Sequence, residues 1–235
     1  MKKIFFPIFV ILFIACDNNN SNQETLTSTI EEVSPENEAS KWDGKLNELL
    51  TLQIASTVSG YNSEEARADY NQILKKPSTH SIAYRWEKGR SKSVHIPITG
   101  KKMEIPTDDF VKLSWVQNTT LEKFKANYHT PTKEELSNAN KAMESKLKEM
   151  QADNKITSQQ SDLAKDMASN FASGLSFDEV SSVGDYAVWN NKLKELKVFY
   201  KGLEFQIKAE FGNDESINRQ KSIEAAKLII KEKLQ

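Results

Sequence analysis

The stretch that decides the fold of this 235-residue chain is Leu203-Glu204-Phe205-Gln206-Ile207-Lys208-Ala209-Glu210-Phe211. Apolar and polar side chains alternate through it, and successive side chains of a β-strand point to opposite faces of the sheet. The alternation therefore predicts a half-buried strand with Phe205 and Ile207 turned into a core. It also predicts that Glu204, Gln206 and Lys208 face solvent.

Shorter segments with the same period predict further strands of the same sheet. These segments are residues 82–86, 94–98, 111–115, 180–183, 186–189 and 196–200. Pro97 and Pro106 indicate that their segments lie at an edge or a turn, because proline has no N–H to donate to a neighbouring strand.

Apolar residues at helical spacing predict helices before, between and after these strands. The helical segments are residues 46–58, 64–74, 120–128, 132–150, 157–171 and 217–234. Thr132-x-x-Glu135 and Thr157-x-x-Gln160 are capping boxes, which mark helix N-termini. Strands that pair as hairpins, with helices in blocks around them, predict an α+β fold with one antiparallel sheet flanked by helices.

The N-terminus has the organisation of an export signal. Lys2 and Lys3 precede an apolar run over residues 4–14, which ends at Ala15 and Cys16, the only cysteine of the chain. This run is too short to cross a bilayer, which takes ~20 apolar residues. Phe13-Ile14-Ala15-Cys16 resembles the lipobox of bacterial lipoproteins, although Phe13 stands where that family usually has leucine. The resemblance implies cleavage before Cys16 and acylation of its thiol and new amino group.

The chain therefore divides into three parts. Residues 1–15 are the predicted lipoprotein signal peptide, residues 16–40 a lipidated cysteine and flexible tether, and residues 41–235 an α+β envelope domain. The tether is rich in Asn, Ser, Thr and Glu and cannot bury enough apolar surface to offset the entropy of ordering it. The composition and the Asn-rich stretch after Cys16 are similar to those of Bacteroidota lipoproteins.

This resemblance implies a place in the cell envelope, held in the outer membrane by lipid on Cys16. Asp17 leaves the inner membrane open as an alternative. Loss of residues 1–15 changes the formal net charge from −1 to −3. Such a balance gives no electrostatic footprint for nucleic acid, so we expect no nucleic-acid partner.

We predict no catalytic, cofactor-binding or metal-binding residues. His80, His95 and His129 are far apart and lack the spacing of zinc ligands. Ser173 and Ser176 flank Gly174-Leu175 without forming a nucleophile elbow, and this stretch is better interpreted as a helix stop.

Three acidic segments have simpler structural interpretations. Asp108-Asp109 follows a proline loop and has the chemistry to help hold a cation, but a structural role is favoured. Glu134-Glu135 lies in the first turn of a helix, where the dipole favours negative charge. Asn213-Asp214-Glu215 lacks the spacing of a calcium loop and predicts a polar turn before the last helix.

The four tryptophans, Trp42, Trp86, Trp115 and Trp189, are interpreted as core residues rather than as the lining of a pocket. Trp42, at the end of the tether, is expected to be the most exposed. The helix over residues 133–150 carries a narrow apolar stripe, which we expect to dock on the protein's own core. A partner surface is the alternative.

Tyr84-Arg85-Trp86 and Gly184-Asp185, with a final helix, are similar to small envelope lipoproteins that have no established activity. The sequence favours a lipid-anchored, non-enzymatic protein with a binding or scaffolding role, whose partners are the membrane and an envelope protein. One alternative is a carrier or chaperone for an apolar ligand, which requires a large apolar cavity. The other is an enzyme with an active site assembled from scattered residues.

Overall fold

The computed structural model describes residues 38–95, 101–172 and 174–235. Cys16, the predicted signal peptide and nearly all of the predicted tether lie outside the described residues. Within them, six α-helices accompany a seven-stranded antiparallel sheet, which confirms the α+β class.

The strands are β1 (Arg67–Asn71), β2 (Ser81–His95), β3 (Lys102–Asn118), β4 (Phe177–Glu179), β5 (Tyr186–Asn190), β6 (Glu195–Tyr200) and β7 (Leu203–Glu210). The helices are α1 (Leu46–Leu49), α2 (Leu52–Ser59), α3 (Leu121–Asn127), α4 (Lys133–Ala152), α5 (Ser158–Ala172) and α6 (Glu215–Ile229). The strand order in the sheet is β1-β2-β3-β7-β6-β5-β4. Short 3-10 turns at Glu38–Trp42, Ser63–Glu65 and Pro77–Thr79 join these elements.

Strand β7, which holds the alternating stretch, lies at the centre of the sheet between β3 and β6. Phe205 and Ile207 are completely buried, as their spacing predicts. Helix α6 contacts this strand, and the Ser222 hydroxyl of α6 accepts a hydrogen bond from the Ala209 N–H of β7 at 3.0 Å. Helices α2 and α6 contact each other, and together with the sheet they enclose the main core.

Around β7 the opposite face of the sheet is largely covered, which corrects one prediction. Glu204 is 1% exposed and Gln206 is 7% exposed, and Lys208 is half-buried. Helix α3 covers this face with Phe124, which forms a second apolar cluster with Val188 and Phe199. The strand itself was predicted correctly, but both of its faces are covered.

The helix predicted over residues 64–74 is also wrong. The segment forms the 3-10 turn Ser63–Glu65 and then β1, which pairs antiparallel with the start of β2. Tyr70 turns towards the core and accepts a hydrogen bond from the Leu46 N–H at 2.8 Å. Backbone pairing with β2 therefore prevails over the local helical spacing.

Two predicted strands are displaced or merged. The segment predicted to begin at Val94 is the far end of the long strand β2, and Ile96, Pro97 and Ile98 lie outside the described residues. The segment 180–183 is a turn after β4, with Val180 and Val183 buried as apolar anchors. Pro106 lies in β3 beyond its pairing with β7 and therefore on a strand edge, as predicted.

Candidate functional site

The histidines that the sequence singles out lie apart. The His80 ring Nε2 is 2.7 Å from the Leu74 carbonyl oxygen, and the His129 ring bonds the Glu135 carboxylate at 2.9 Å. The side chain of His95 is not described. Over residues 38–95, 101–172 and 174–235, no three His, Cys, Asp or Glu side chains converge as a metal site requires.

The carboxylate pairs are engaged in structural contacts. Asp108 accepts from Arg67 at 2.8 Å, and Asp109 accepts from Arg90. Glu135 completes the capping box with Thr132, and the backbone N–H of Thr132 donates to it at 2.7 Å. Asp214 caps α6, and the Ser216 N–H donates to it at 2.9 Å. Ser176 accepts from the Asn191 amide at 3.2 Å, while Ser173 lies outside the described residues.

Gly184 and Asp185 lie at the end of the turn between β4 and β5, where the space beside the neighbouring strand requires glycine at position 184. Gly184 has φ +60°, and a Cβ at this position would lie 2.5 Å from the Phe199 carbonyl oxygen. Asp185 accepts from the Lys201 N–H at 2.7 Å. This motif therefore has a structural role, because only glycine fits so close to the neighbouring strand.

The tryptophans do not line a common pocket. Trp86 and Trp189 are completely buried in the main core, and Trp42 is half-buried against it. Trp115, expected in the core, is 45% exposed at φ +56° in a bulge of β3, and the prediction that Trp42 is the most exposed is wrong. The bulge changes which way the strand's side chains point after Ser114, and alternation alone does not predict that change.

Helix α4 uses its apolar stripe mainly against α5. Leu147 is buried, and the two helices contact each other. Leu163 and Met167 of α5 are 61% and 66% exposed.

The sequence pattern does not predict a cluster of buried polar side chains that lies on the second face of the sheet. Lys197 donates to Gln206 at 2.5 Å and lies 3.1 Å from Glu195, and Gln206 also donates to Glu195. The hydroxyl of Tyr128, which follows α3, donates to Glu204, and the Lys197 ammonium group lies over the Tyr128 ring at 5.0 Å. Burial of Tyr128 and the negative charge of Glu204 raise the pKa of the Tyr128 hydroxyl. The cluster fastens the end of α3 to the sheet, so we assign it a structural role.

The far end of the β2–β3 hairpin extends beyond the other described strands of the sheet. Strand β1 pairs with β2 only as far as Arg85, and β7 pairs with β3 only as far as Phe110. Beyond these points, Trp86 pairs with Asp109, and after a bulge β2 and β3 continue together for six residue pairs, over residues 90–95 and 102–107. We call these residues the hairpin arm.

The outer edges of the hairpin arm are available for further pairing. No described strand pairs with either of them. Such an edge presents N–H and C=O groups that a strand from another chain is able to bind. On β3, Pro106 removes one donor, whereas residues 90–95 of β2 contain no proline. The β2 side is therefore the better edge for strand addition.

A bulge and an ion cluster hold the root of the hairpin arm. Residues 87–89 of β2 lie opposite Asp108 alone, with Gly89 at φ +66°. Asp109 is 3% exposed and accepts from Arg90 and, at 2.7 Å, from the Tyr61 hydroxyl. The hydrogen bond to Asp109, together with burial, raises the pKa of Tyr61 to about 12.

One face of the hairpin arm combines apolar and basic side chains. Val94 pairs with Met103 and Lys92 pairs with Ile105, and pairs two residues apart share a face. Met103 is 49% exposed. With Arg90 paired to Asp109, Lys92 and Lys102 against Glu104 leave the arm net positive, on a chain with a net charge of −1.

Two surface depressions accompany these features. One of about 260 Å³ lies between the 3-10 turn Glu38–Trp42, residues 76–78 and the end of β3. The other, of about 410 Å³, lies at the turn between α4 and α5. Both are open to solvent and have mixed polar and apolar linings. Among the described residues, no helix combines the length and apolar character needed to cross a membrane.

Comparisons with models of protein families, with curated proteins and with solved structures each returned no match.

Proposed function

We propose that this protein is a lipid-anchored, non-enzymatic component of the bacterial cell envelope that holds a partner protein on its hairpin arm. The observation that carries the proposal is the continuation of β2 and β3 for six residue pairs with no other described strand beside them. Residues that only complete a core do not need to extend past every other strand of their sheet. An extended hairpin with open edges is suited to binding by strand addition.

The root of the hairpin arm supports this role because it keeps the arm in one orientation. Arg90 donates to the buried Asp109 and, at 3.2 Å, to the Asp108 carbonyl oxygen. Tyr61, which also donates to Asp109, packs edge-to-face on Trp86. A binding element that is already ordered loses less conformational entropy when its partner docks.

The charge of the hairpin arm indicates the kind of partner. Arg90 is paired with the buried Asp109, so the positive charge that a partner meets comes from Lys92 on β2 and Lys102 on β3. Lys92 also lies 3.8 Å from Glu210 of β7, and its side chain is 46% exposed. These two lysines favour an acidic segment in extended conformation. Main-chain hydrogen bonds to residues 90–95 supply affinity, while Val94 and Met103 give an apolar contact on one face.

The anchor in this proposal is lipid on Cys16, through the resemblance to bacterial lipoproteins. The outer membrane is the proposed location and the inner membrane the alternative. Strand β3 is 17 residues long and so spans roughly 55 Å from the hairpin arm to its other end. That other end contacts the start of the described chain, since the Ala39 N–H donates to Asn118 at 3.0 Å. The arm thus projects away from the point where the tether joins the domain.

Site-specific photo-cross-linking in living cells tests the binding role. A benzoylphenylalanine at Ser93, in the hairpin arm, is compared with one at Glu144, an exposed position on α4. We expect one adduct of defined mass at position 93 and none at position 144. Replacing Lys92 and Lys102 with Glu should abolish that adduct, because the charge that attracts an acidic strand is reversed. Equal adducts at both positions would contradict the proposal.

Metabolic labelling with a palmitate analogue tests the anchor. The native chain should incorporate label, and Cys16→Ser should remain an unlabelled precursor that retains residues 1–15. Label on the Ser variant would show that Cys16 is not the lipidated residue.

A further inference from the structure

The most exposed large apolar side chain that the structure describes is Ile73, at 85%. It lies in residues 72–76, which connect β1 to the 3-10 turn Pro77–Thr79. Its neighbour Leu74 is 61% exposed, and the exposed Lys75 and Lys76 follow directly. We call residues 72–76 the basal loop. Exposed apolar side chains next to basic ones are typical of a contact surface.

The basal loop is held in place by hydrogen bonds at both ends. The Ile73 N–H donates to the Asn71 side chain at 3.1 Å. The His80 ring lies 2.7 Å from the Leu74 carbonyl oxygen, which accepts from Nε2 when that nitrogen carries the proton. The Thr79 hydroxyl donates to the Lys76 carbonyl oxygen at 2.6 Å. The loop therefore presents Ile73 and Leu74 outward from an organised backbone.

The basal loop also lies beside the first described residues of the chain. A Cβ at Gly44 would lie 3.9 Å from the Gln72 side chain. Lys76 lines the same depression as Ala39, Ser40 and Asp43. The loop is thus next to the point where the predicted tether joins the domain, at the end of β3 opposite to the hairpin arm.

We propose that the basal loop contacts the surface of an anionic phospholipid bilayer, the same membrane that holds the lipid on Cys16. This inference rests on the proposed anchor. Ile73 and Leu74 are able to reach the boundary between headgroups and acyl chains, while the ammonium groups of Lys75 and Lys76 remain among the phosphates. Basic residues near an anionic leaflet are attracted to it.

The length of the preceding chain favours a membrane as the occupant. Residues 16 to 38 are joined by 22 peptide steps, and the flexible tether that the composition predicts for them would have a typical reach of about 26 Å. An anchored domain therefore stays within a thin layer above the bilayer, where even a weak contact is made often. With the basal loop on the membrane, the hairpin arm points away from it.

A polarity-sensitive dye on the full acylated chain tests the proposal. Cys16 is the only natural cysteine and acylation consumes its thiol, so Ile73→Cys offers a single free thiol, as does the control Ser93→Cys in the hairpin arm. The labelled chains are reconstituted into vesicles of phosphatidylethanolamine and phosphatidylglycerol. We expect blue-shifted emission at position 73, and quenching by a quencher on the lipid acyl chains several-fold stronger than at position 93.

A charge variant gives a second measurement. Lys75→Gln with Lys76→Gln should reduce the membrane-inserted population of the position-73 label, by about fivefold per lysine. The matched control, Lys141→Gln with Lys148→Gln on the exposed surface of α4, should not change it. In vesicles of phosphatidylcholine alone, the two double variants should be indistinguishable from the unaltered chain.

The outcomes separate this inference from the anchor. A chain that floats with the vesicles while its position-73 label remains in water overturns the basal-loop contact alone. A blue shift at position 73 without quenching by lipid indicates a protein occupant, and it also overturns the contact. A chain without an acyl group overturns the anchor and this inference together.

Discussion

Glu204 is the residue at which local sequence and tertiary structure disagree most. It alternates with apolar residues as a solvent-facing position would, yet it is 1% exposed. Tyr128 donates to its Oε1 atom, and its Oε2 atom has no hydrogen-bond partner among the described residues. A buried carboxylate depends strongly on the few donors it has, because solvation by water is lost.

Replacing Tyr128 with Phe should therefore destabilise the domain. The change removes the donor to Glu204 without removing the ring, and we expect a loss of about 1–3 kcal/mol in the free energy of unfolding. Tyr186→Phe is the matched control, since its hydroxyl lies 3.5 Å from Glu179 at the surface. Urea unfolding of both variants measures the difference, and equal losses would mean that Tyr128 and Glu204 are not coupled.

Phe205 and Lys208 test the two faces of β7. Phe205→Ala should cost ~3–5 kcal/mol, because it leaves a cavity in the main core. Lys208→Ala should stay within about ±0.5 kcal/mol, since the half-buried Lys208 keeps its ammonium group at the surface, where it donates to the Leu193 carbonyl oxygen at 3.0 Å. Chemical denaturation gives both values, and similar losses at the two positions would show that the register of β7 is wrong.

At the scale of elements, the β2–β3 hairpin shows how one ion cluster supports a projecting structure. The bulge at residues 87–89 redirects β2 as it leaves the sheet. Arg90, Asp109 and Tyr61 meet at that place, and Lys88 lies over the Tyr61 ring at 4.5 Å. The hairpin arm is therefore joined to the core through polar contacts rather than through apolar packing.

The raised pKa of Tyr61 predicts a pH dependence of stability. Its folded-state pKa is about 12 against an ordinary value of 10.0, so the folded protein holds this proton more tightly than the unfolded chain. The corresponding stability is fully present below pH 10.0 and is lost as the pH rises towards about 12. The difference in unfolding free energy between the native chain and Tyr61→Phe should be constant from neutral pH to about pH 9 and should shrink above it. Urea unfolding across this range measures it, and a constant difference at all pH values would contradict the shift.

At the scale of the whole molecule, the proposals place two surfaces at opposite ends of β3. The basal loop lies beside the start of the described chain and faces the membrane in the proposed arrangement. The hairpin arm lies roughly 55 Å away along the 17-residue strand. A protein arranged in this way holds its partner at a set distance from the lipid surface.

Limited proteolysis of the vesicle-bound chain tests this organisation. A Glu-specific protease should cut first within residues 24–36, because the composition there does not support a core, and should release the intact domain from the vesicles. Glu134 and Glu144 are exposed but lie in the hydrogen-bonded helix α4, so they should be cut later. Mass spectrometry of the first released fragment identifies the cut, and first cleavage within α4 would contradict the prediction.

The sequence by itself determined the α+β class, most of the strands and the starts of the long helices. These features follow from local rules: alternation for β7, helical spacing for α6, and the capping box of Thr132 and Glu135 for α4. Each rule concerns residues within one or two turns of each other. The neighbours that matter are therefore visible in the printed order of the chain.

Only the tertiary structure decided what lies on the second face of the sheet and where the sheet ends. Alternation shows that the two faces of β7 differ, but the buried Glu204 takes its hydrogen bond from Tyr128, which follows α3, a helix that begins 82 residues before β7. Likewise, residues 90–95 form an open edge because β1 pairs with β2 only as far as Arg85, and residues 102–107 form one because β7 pairs with β3 only as far as Phe110. Both outcomes depend on contacts between distant segments, and local side-chain patterns do not encode which segments meet.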